Sequence, residues 1–163
     1  MEAATKVFSE KGYDAASIRE LAALANTNLA SINYHFKSKQ NLMDLLIEDF
    51  ADNKLSPVLL ALDPPESFDE FKVRIDLFIK QFLNMVCKEY DSFLMLQKNL
   101  DTLVRISPDS FKDSFEKVHG CFLNFINHGI KNRILKDSLD QEITTQIFFG
   151  CFFDLVKTNE ARK

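Results

Sequence analysis

Residues 17–42 read SIRELAALANTNLASINYHFKSKQNL, and this stretch decides the fold because it spells two short helices, a turn and the start of a third helix in one consistent register. Ser17 and Glu20 form a capping box, in which the hydroxyl accepts from the amide of Glu20 and the carboxylate reaches back to the amide of Ser17. Ile18, Leu21, Ala22 and Ala25 then fall on one apolar stripe. Asn26 tolerates the positive φ that a tight turn needs, second only to glycine, so the helix is expected to end near Ala25. Asn28 is placed to cap the next helix, with Leu29, Ile32 and Phe36 facing in and Thr27, Ser31, Asn33 and Tyr34 facing out. A short polar face of this kind suits base edges in a major groove. His35, Lys37 and Lys39 cluster with Tyr34 where the following helix starts at Ser38, so cations, a phenol and free helix amides converge on one phosphate. The reading is a helix-turn-helix with a phosphate clamp.

The run from Ala3 to Leu46 resembles the DNA-binding domain of the TetR family of bacterial repressors. The likeness rests on Ala3, Ala4, Phe8 and Gly12, on the Ser17-Ile18 cap, on the Leu21-Ala22 pair, and on the ending Tyr34, His35, Phe36 and Lys39. Three positions depart from the commonest pattern: Asn26 and Ala30 stand for glycines, and Asn33 for a tyrosine. The resemblance implies that Thr27, Asn28, Ser31 and Asn33 face bases, that Tyr34, His35 and Lys39 hold the DNA backbone, and that a small inducer binds in the domain that follows.

Composition agrees with such a protein without requiring it. The 163 residues include only four glycines and four prolines, 46% are hydrophobic, and almost no alternating apolar pattern occurs, so an all-α chain is expected. The net charge of -4 is not that of a general polyanion binder. Even residues 1–50 carry five Lys/Arg against seven Asp/Glu, so DNA affinity has to come from a small local patch, doubled in a dimer. There is no signal peptide and no apolar run of membrane-spanning length, and a cytoplasmic location is expected. Cys87, Cys121 and Cys151 sit on separate helical segments and read as small buried hydrophobes.

The domain expectation is a three-helix DNA-binding unit over 1–46 and a helical ligand-binding and dimerisation bundle over 47–163. A long helix from Ser38 into the fifties is expected to break at Pro57 and Pro64-Pro65. Further helices follow from Ser67, over Asp91 to Arg105, from Pro108 to about Lys131, and over Asp140 to Thr158. The last includes IFFGCFFDLV, apolar on nearly every side except Asp154, and a helix apolar all round is buried all round. Pairing with a second copy accomplishes this, so Phe115, Phe122, Ile126, Ile147, Phe148, Cys151, Phe152 and Leu155 are expected at a homodimer interface. Sixteen phenylalanines and no tryptophan suit a cavity for an apolar or aromatic inducer, sought among Phe78, Phe82, Met85, Phe93, Leu96, Phe122 and Phe125.

The histidines are scattered, no nucleophile has a base at suggestive spacing, and no phosphate-cradling glycine loop occurs, so neither an enzyme nor a cofactor or metal site is expected. Glu116 and His119 form an E-x-x-H pair, but the second copy that a di-iron bundle needs is missing. A helical protein-protein adaptor with a vestigial DNA-binding unit is the alternative, separable by its lack of salt-dependent DNA affinity.

Overall fold

The computed structural model describes residues 1–160, with side chains described as far as Cys151 except Phe149. As expected, the chain is all-α. In order, α1 is Glu2–Lys11, α2 Ile18–Leu24, α3 Leu29–Phe36, α4 Lys39–Asp49, α5 Ser56–Leu59, α6 Phe68–Lys88, α7 Tyr90–Lys98, α8 Leu100–Ile106, α9 Pro108–Lys131 and α10 Gln141–Glu160. The helices sort into two compact units: Met1–Pro57 with Phe82–Phe115, and Val58–Gln81 with the residues from Glu116 on.

Two boundaries differ from the sequence reading, each for a local reason. The helix expected over 91–105 is split by Asn99, which closes α7 and opens α8 in a non-helical conformation (φ -108°, ψ 12°). Helical structure also runs through Pro57. A π-helical segment, Phe50–Leu55, precedes it, and the Ser56 amide reaches back five residues to the Ala51 carbonyl. The wider turn absorbs the register change near the proline, whose missing N–H would otherwise interrupt an α ladder. Helical winding then ends after a 3₁₀ turn at Leu60–Leu62, ahead of Pro64-Pro65.

The core of the first unit joins the helix-turn-helix to α7 and α8. Phe8, Leu21, Leu42 and Met43 are almost wholly buried together with Met95 of α7 and Leu103 of α8. Complete burial of such a side chain is worth roughly 1.5–3 kcal/mol relative to exposure. Polar bonds from the α7–α8 segment strap the end of α1 and the α1–α2 loop, residues 12–17. Asn99 accepts from the Tyr13 amide at 2.7 Å, and Lys98 donates to the Ser9 carbonyl at 3.2 Å. Arg105 Nη2 donates to both carboxylate oxygens of Asp14, at 3.1 and 3.2 Å. Gly12 turns the chain out of α1 at φ 81°, where a side chain would be strained.

The second unit is held by aromatic packing. Phe71 stacks on Phe125 with centroids 4.9 Å apart, and Phe78 meets Phe122 edge to face at 5.0 Å. Phe148 of α10 packs on Phe122 at 5.0 Å and on Phe78 at 6.1 Å. This corrects part of the expected dimer interface: Phe122 and Ile126 are 3% and 5% exposed, and Phe148 turns toward the same rings, so these three residues fill the chain's own core. Phe115, Ile147 and Cys151 do face outward. The side chains of Phe152, Asp154 and Leu155 lie outside the described residues.

Candidate DNA interface

Side-chain caps start all three helices of the DNA-facing segment. Ser17 Oγ accepts from the Glu20 amide at 3.2 Å, Asn28 Oδ1 from the Ser31 amide at 2.7 Å, and Ser38 Oγ from the Asn41 amide at 3.0 Å. Each bond satisfies one of the four amides that a helix leaves free at its start, and each is worth about 1 kcal/mol. Helix α2 ends as its asparagine suggests. Asn26 takes φ 49°, its amide bonds to the Ala23 carbonyl, and the next amide, of Thr27, reaches Ala22 at 2.9 Å. These are the two bonds of a Schellman motif, with asparagine in the place glycine usually takes.

The junction between α3 and α4 carries a feature the sequence did not signal. Lys37 adopts φ 62° and ψ -47°, and the Ser38 amide bonds to the Phe36 carbonyl at 2.6 Å. This is a γ-turn of the rare positive-φ form, strained for any residue with a Cβ. Lys37 at the turn and Ser38 at the cap therefore take the chain from the recognition helix into α4. Such strain is found where surrounding structure enforces it, commonly at functional positions.

The proposed base-reading and phosphate-holding residues divide into an exposed group and an inward one. Thr27, Asn28, Asn33, Tyr34, His35 and Lys37 are exposed, with Tyr34 at 82%, its ring edge-on to His35 with centroids 5.3 Å apart. Ser31 is half-buried, and Ser17 is exposed but committed to its cap. Ile32 is buried and Phe36 half-buried as expected, whereas Leu29 is 37% exposed, because it sits in the first turn beside the cap. Lys39 departs most from expectation. Its Nζ donates to the carbonyls of Tyr13 at 2.8 Å and Ala16 at 3.0 Å and lies 4.2 Å above the Tyr13 ring, so it braces the α1–α2 loop instead of joining the exposed clamp. Burial, followed by the carboxylates of Asp14 and Asp44, holds the Tyr13 phenol above its ordinary pKa. The face of that ring stacks under the Lys39 ammonium.

The residues expected around an inducer fall into both units. Phe82, Met85, Phe93 and Leu96 belong to the first, where Phe93 packs between Phe82 at 5.9 Å and Phe50 at 6.3 Å; Phe78, Phe122 and Phe125 belong to the second. A cleft of about 540 Å³ in the first unit is lined by other, mostly polar residues, including Glu2, Asp49, Glu89 and Ser92. Lys54 binds Glu89 there at 2.6 Å. In the second unit His119 Nε2 lies 3.6 Å from Glu142 of α10. Among the described residues no three His, Cys, Asp or Glu side chains gather as metal ligands, and no helix is long and apolar enough to cross a membrane.

A capped helix-turn-helix with an exposed polar recognition helix, carried on an all-α chain, defines a class of DNA-binding proteins. Residues 1–46 match the family described as bacterial regulatory proteins, tetR family. It is 33% identical over 86 residues to the HTH-type transcriptional repressor AcnR of Corynebacterium glutamicum, covering 47% of this chain and 46% of AcnR. In fold it is similar to the fatty acid degradation regulator FadR from Bacillus halodurans, with a TM-score of 0.81 at 15% identity over 99% of this chain and 82% of that one. FadR from Bacillus subtilis, solved in complex with stearoyl-CoA, superposes with a TM-score of 0.75 at 19% identity over 99% of this chain and 87% of that one. This chain covers only 24% and 46% of the lengths of two of the curated regulators that it matches.

Proposed function

We propose that this chain is a dimeric DNA-binding transcriptional regulator, a repressor that leaves its operator when a small apolar-tailed ligand binds. The observation that carries the reading is α3, which is capped by Asn28 and anchored from behind by buried Ile32 while Thr27, Asn28, Asn33, Tyr34 and His35 stay exposed. In this reading Thr27, Asn28, Ser31 and Asn33 address bases, and Tyr34, His35, Lys37 and the first free amides of α4 hold the phosphate backbone. Lys39 contributes through the α1–α2 loop.

An exposed apolar stripe on α10 supports the dimer. Ile143 and Ile147 are 56% and 62% exposed, and Gly150 and Cys151 continue the same face one and two steps further along. A built Cβ on Gly150 would meet nothing within 4 Å, which leaves room for a second helix to approach closely. A C2 pair buries this stripe against its own copy, and two recognition helices then meet half-sites about one DNA turn apart. The aromatic core and the likeness to a regulator solved with stearoyl-CoA support a long-chain acyl thioester as the inducer class.

Selection of bound duplexes from a random pool, at two salt concentrations, tests the reading. A palindrome with half-sites about one turn apart, released by stearoyl-CoA and not by free coenzyme A, is the expected result. Binding without a motif that vanishes at moderate salt overturns it.

A further inference from the structure

We propose that Asn99 is a positioning residue for DNA binding: from the bend between α7 and α8 its amide fixes the α1–α2 loop and, through Tyr13 and Lys39, the helix pair that reads DNA. This rests on the DNA-binding reading above. Asn99 is 3% exposed, far down the chain from the helix-turn-helix, and has no surface to offer a nucleic acid.

Every hydrogen-bonding group of its side chain is engaged. Nδ2 donates to the Phe8 carbonyl at 3.2 Å and to Met95 at 2.6 Å, and Oδ1 accepts from the Tyr13 amide at 2.7 Å. Asparagine is among the preferred residues for starting a helix, yet this side chain makes no cap bond to α8, the helix that follows it. It is committed wholly to α7 and to the end of α1. Tyr13 then relays the constraint across its own backbone, since its N–H is held by Asn99 and its C=O by the Lys39 ammonium. Lys39 is the first residue of α4 and follows the recognition helix by a single turn. Gln40 adds a parallel strap from the same turn to the Ile106 carbonyl at the end of α8.

The exposed Arg105–Asp14 pair spans a similar gap, but with both side chains about two-thirds in water it adds little. A buried, fully satisfied amide differs, because losing it leaves the Tyr13 amide without its side-chain acceptor and the Phe8 carbonyl with the Gly12 amide alone. Without it the helix-turn-helix is free to tilt on α7. A dimer with loosened reading heads binds its operator less tightly and also discriminates less sharply against wrongly spaced half-sites.

The test uses the full chain, the selected palindrome, and the same palindrome with one base pair inserted at its centre. Asn99→Ala is expected to lower affinity for the correct palindrome about tenfold and to shrink the insertion penalty about fivefold. Lys39→Met acts on the other side of Tyr13 at a half-buried position. It is expected to shrink the same penalty, whereas loss of a charge alone weakens both duplexes equally. If Asn99→Ala fails to fold, judged by helical circular dichroism, Lys39→Met decides the matter. An unchanged insertion penalty in the folded variants overturns the proposal whatever happens to overall affinity. A wild-type chain that selects no palindrome overturns the DNA-binding reading first, before any variant is made.

Discussion

The segment 17–49 and the segment 108–151 reach helical structure by different means. The first is built of helices of seven, eight and eleven residues, each opened by a side-chain cap, with its turns held by Asn26 and Lys37 at positive φ. Helices this short are marginal alone, and the caps and turn residues set where each begins and ends. The second has a helix of 24 residues on which phenylalanine rings pack in pairs, and its ends matter less than which face turns inward. Polar bonding specifies angles in the one, and apolar burial supplies stability in the other. A reader of DNA needs the former, because hydrogen bonds to bases tolerate little angular error.

Substitutions can break this contrast at its strong end first. Phe125 is fully buried beneath Phe71, and Phe125→Ala is expected to cost about 3–5 kcal/mol, read as a lowered midpoint in urea. Ile147→Glu places a charge on the exposed stripe of α10. It is expected to raise the dimer dissociation constant by the equivalent of about 2 kcal/mol in sedimentation equilibrium, with helix content unchanged. A persistent dimer in this variant removes α10 from the interface.

On the polar side the effects are smaller and more local. Asn28→Ala removes the cap of the recognition helix and is expected to cost about 1 kcal/mol, seen as faster amide exchange at Ser31. An equal loss for the cap and for the Phe125 core would erase the distinction between the two segments. The smallest effect is acidic. The Glu66 amide and then Arg74 hold the Glu70 carboxyl below its ordinary pKa of 4.5. A depressed folded-state value means that its support for the start of α6 is present above the ordinary carboxylate range and lost as pH falls through the folded value. Carboxyl NMR titration is expected to place the Glu70 midpoint below that of a free glutamate, and a midpoint at or above it removes the bond to Glu66.

Legibility follows the same division. Ser17, Asn26, Asn28 and Ser38 announce their roles because a cap or a positive-φ turn needs only neighbours in sequence. Asn99 is invisible by that logic, since its partners Phe8 and Tyr13 lie 91 and 86 residues away. Lys39 looks like a phosphate ligand in the sequence because its position beside Tyr34 and His35 is local information, whereas its bonds to Tyr13 and Ala16 are not. Among the long helices, periodicity showed that Phe122, Ile126, Phe148 and Ile147 are apolar. It could not tell the face that meets Phe78 from the face left open, because both have the same period.

The γ-turn at Lys37 makes the recognition helix intolerant of changes in chain length. With only Lys37 and Ser38 between α3 and α4 there is little slack to redistribute, and α3, eight residues long, extends about 12 Å from that pivot. A tilt of about 10° there carries its far end roughly 2 Å, more than the span of usable hydrogen-bond distances. Exchange of side chains along α3 leaves this junction intact, whereas insertion or deletion between Phe36 and Lys39 displaces the whole helix.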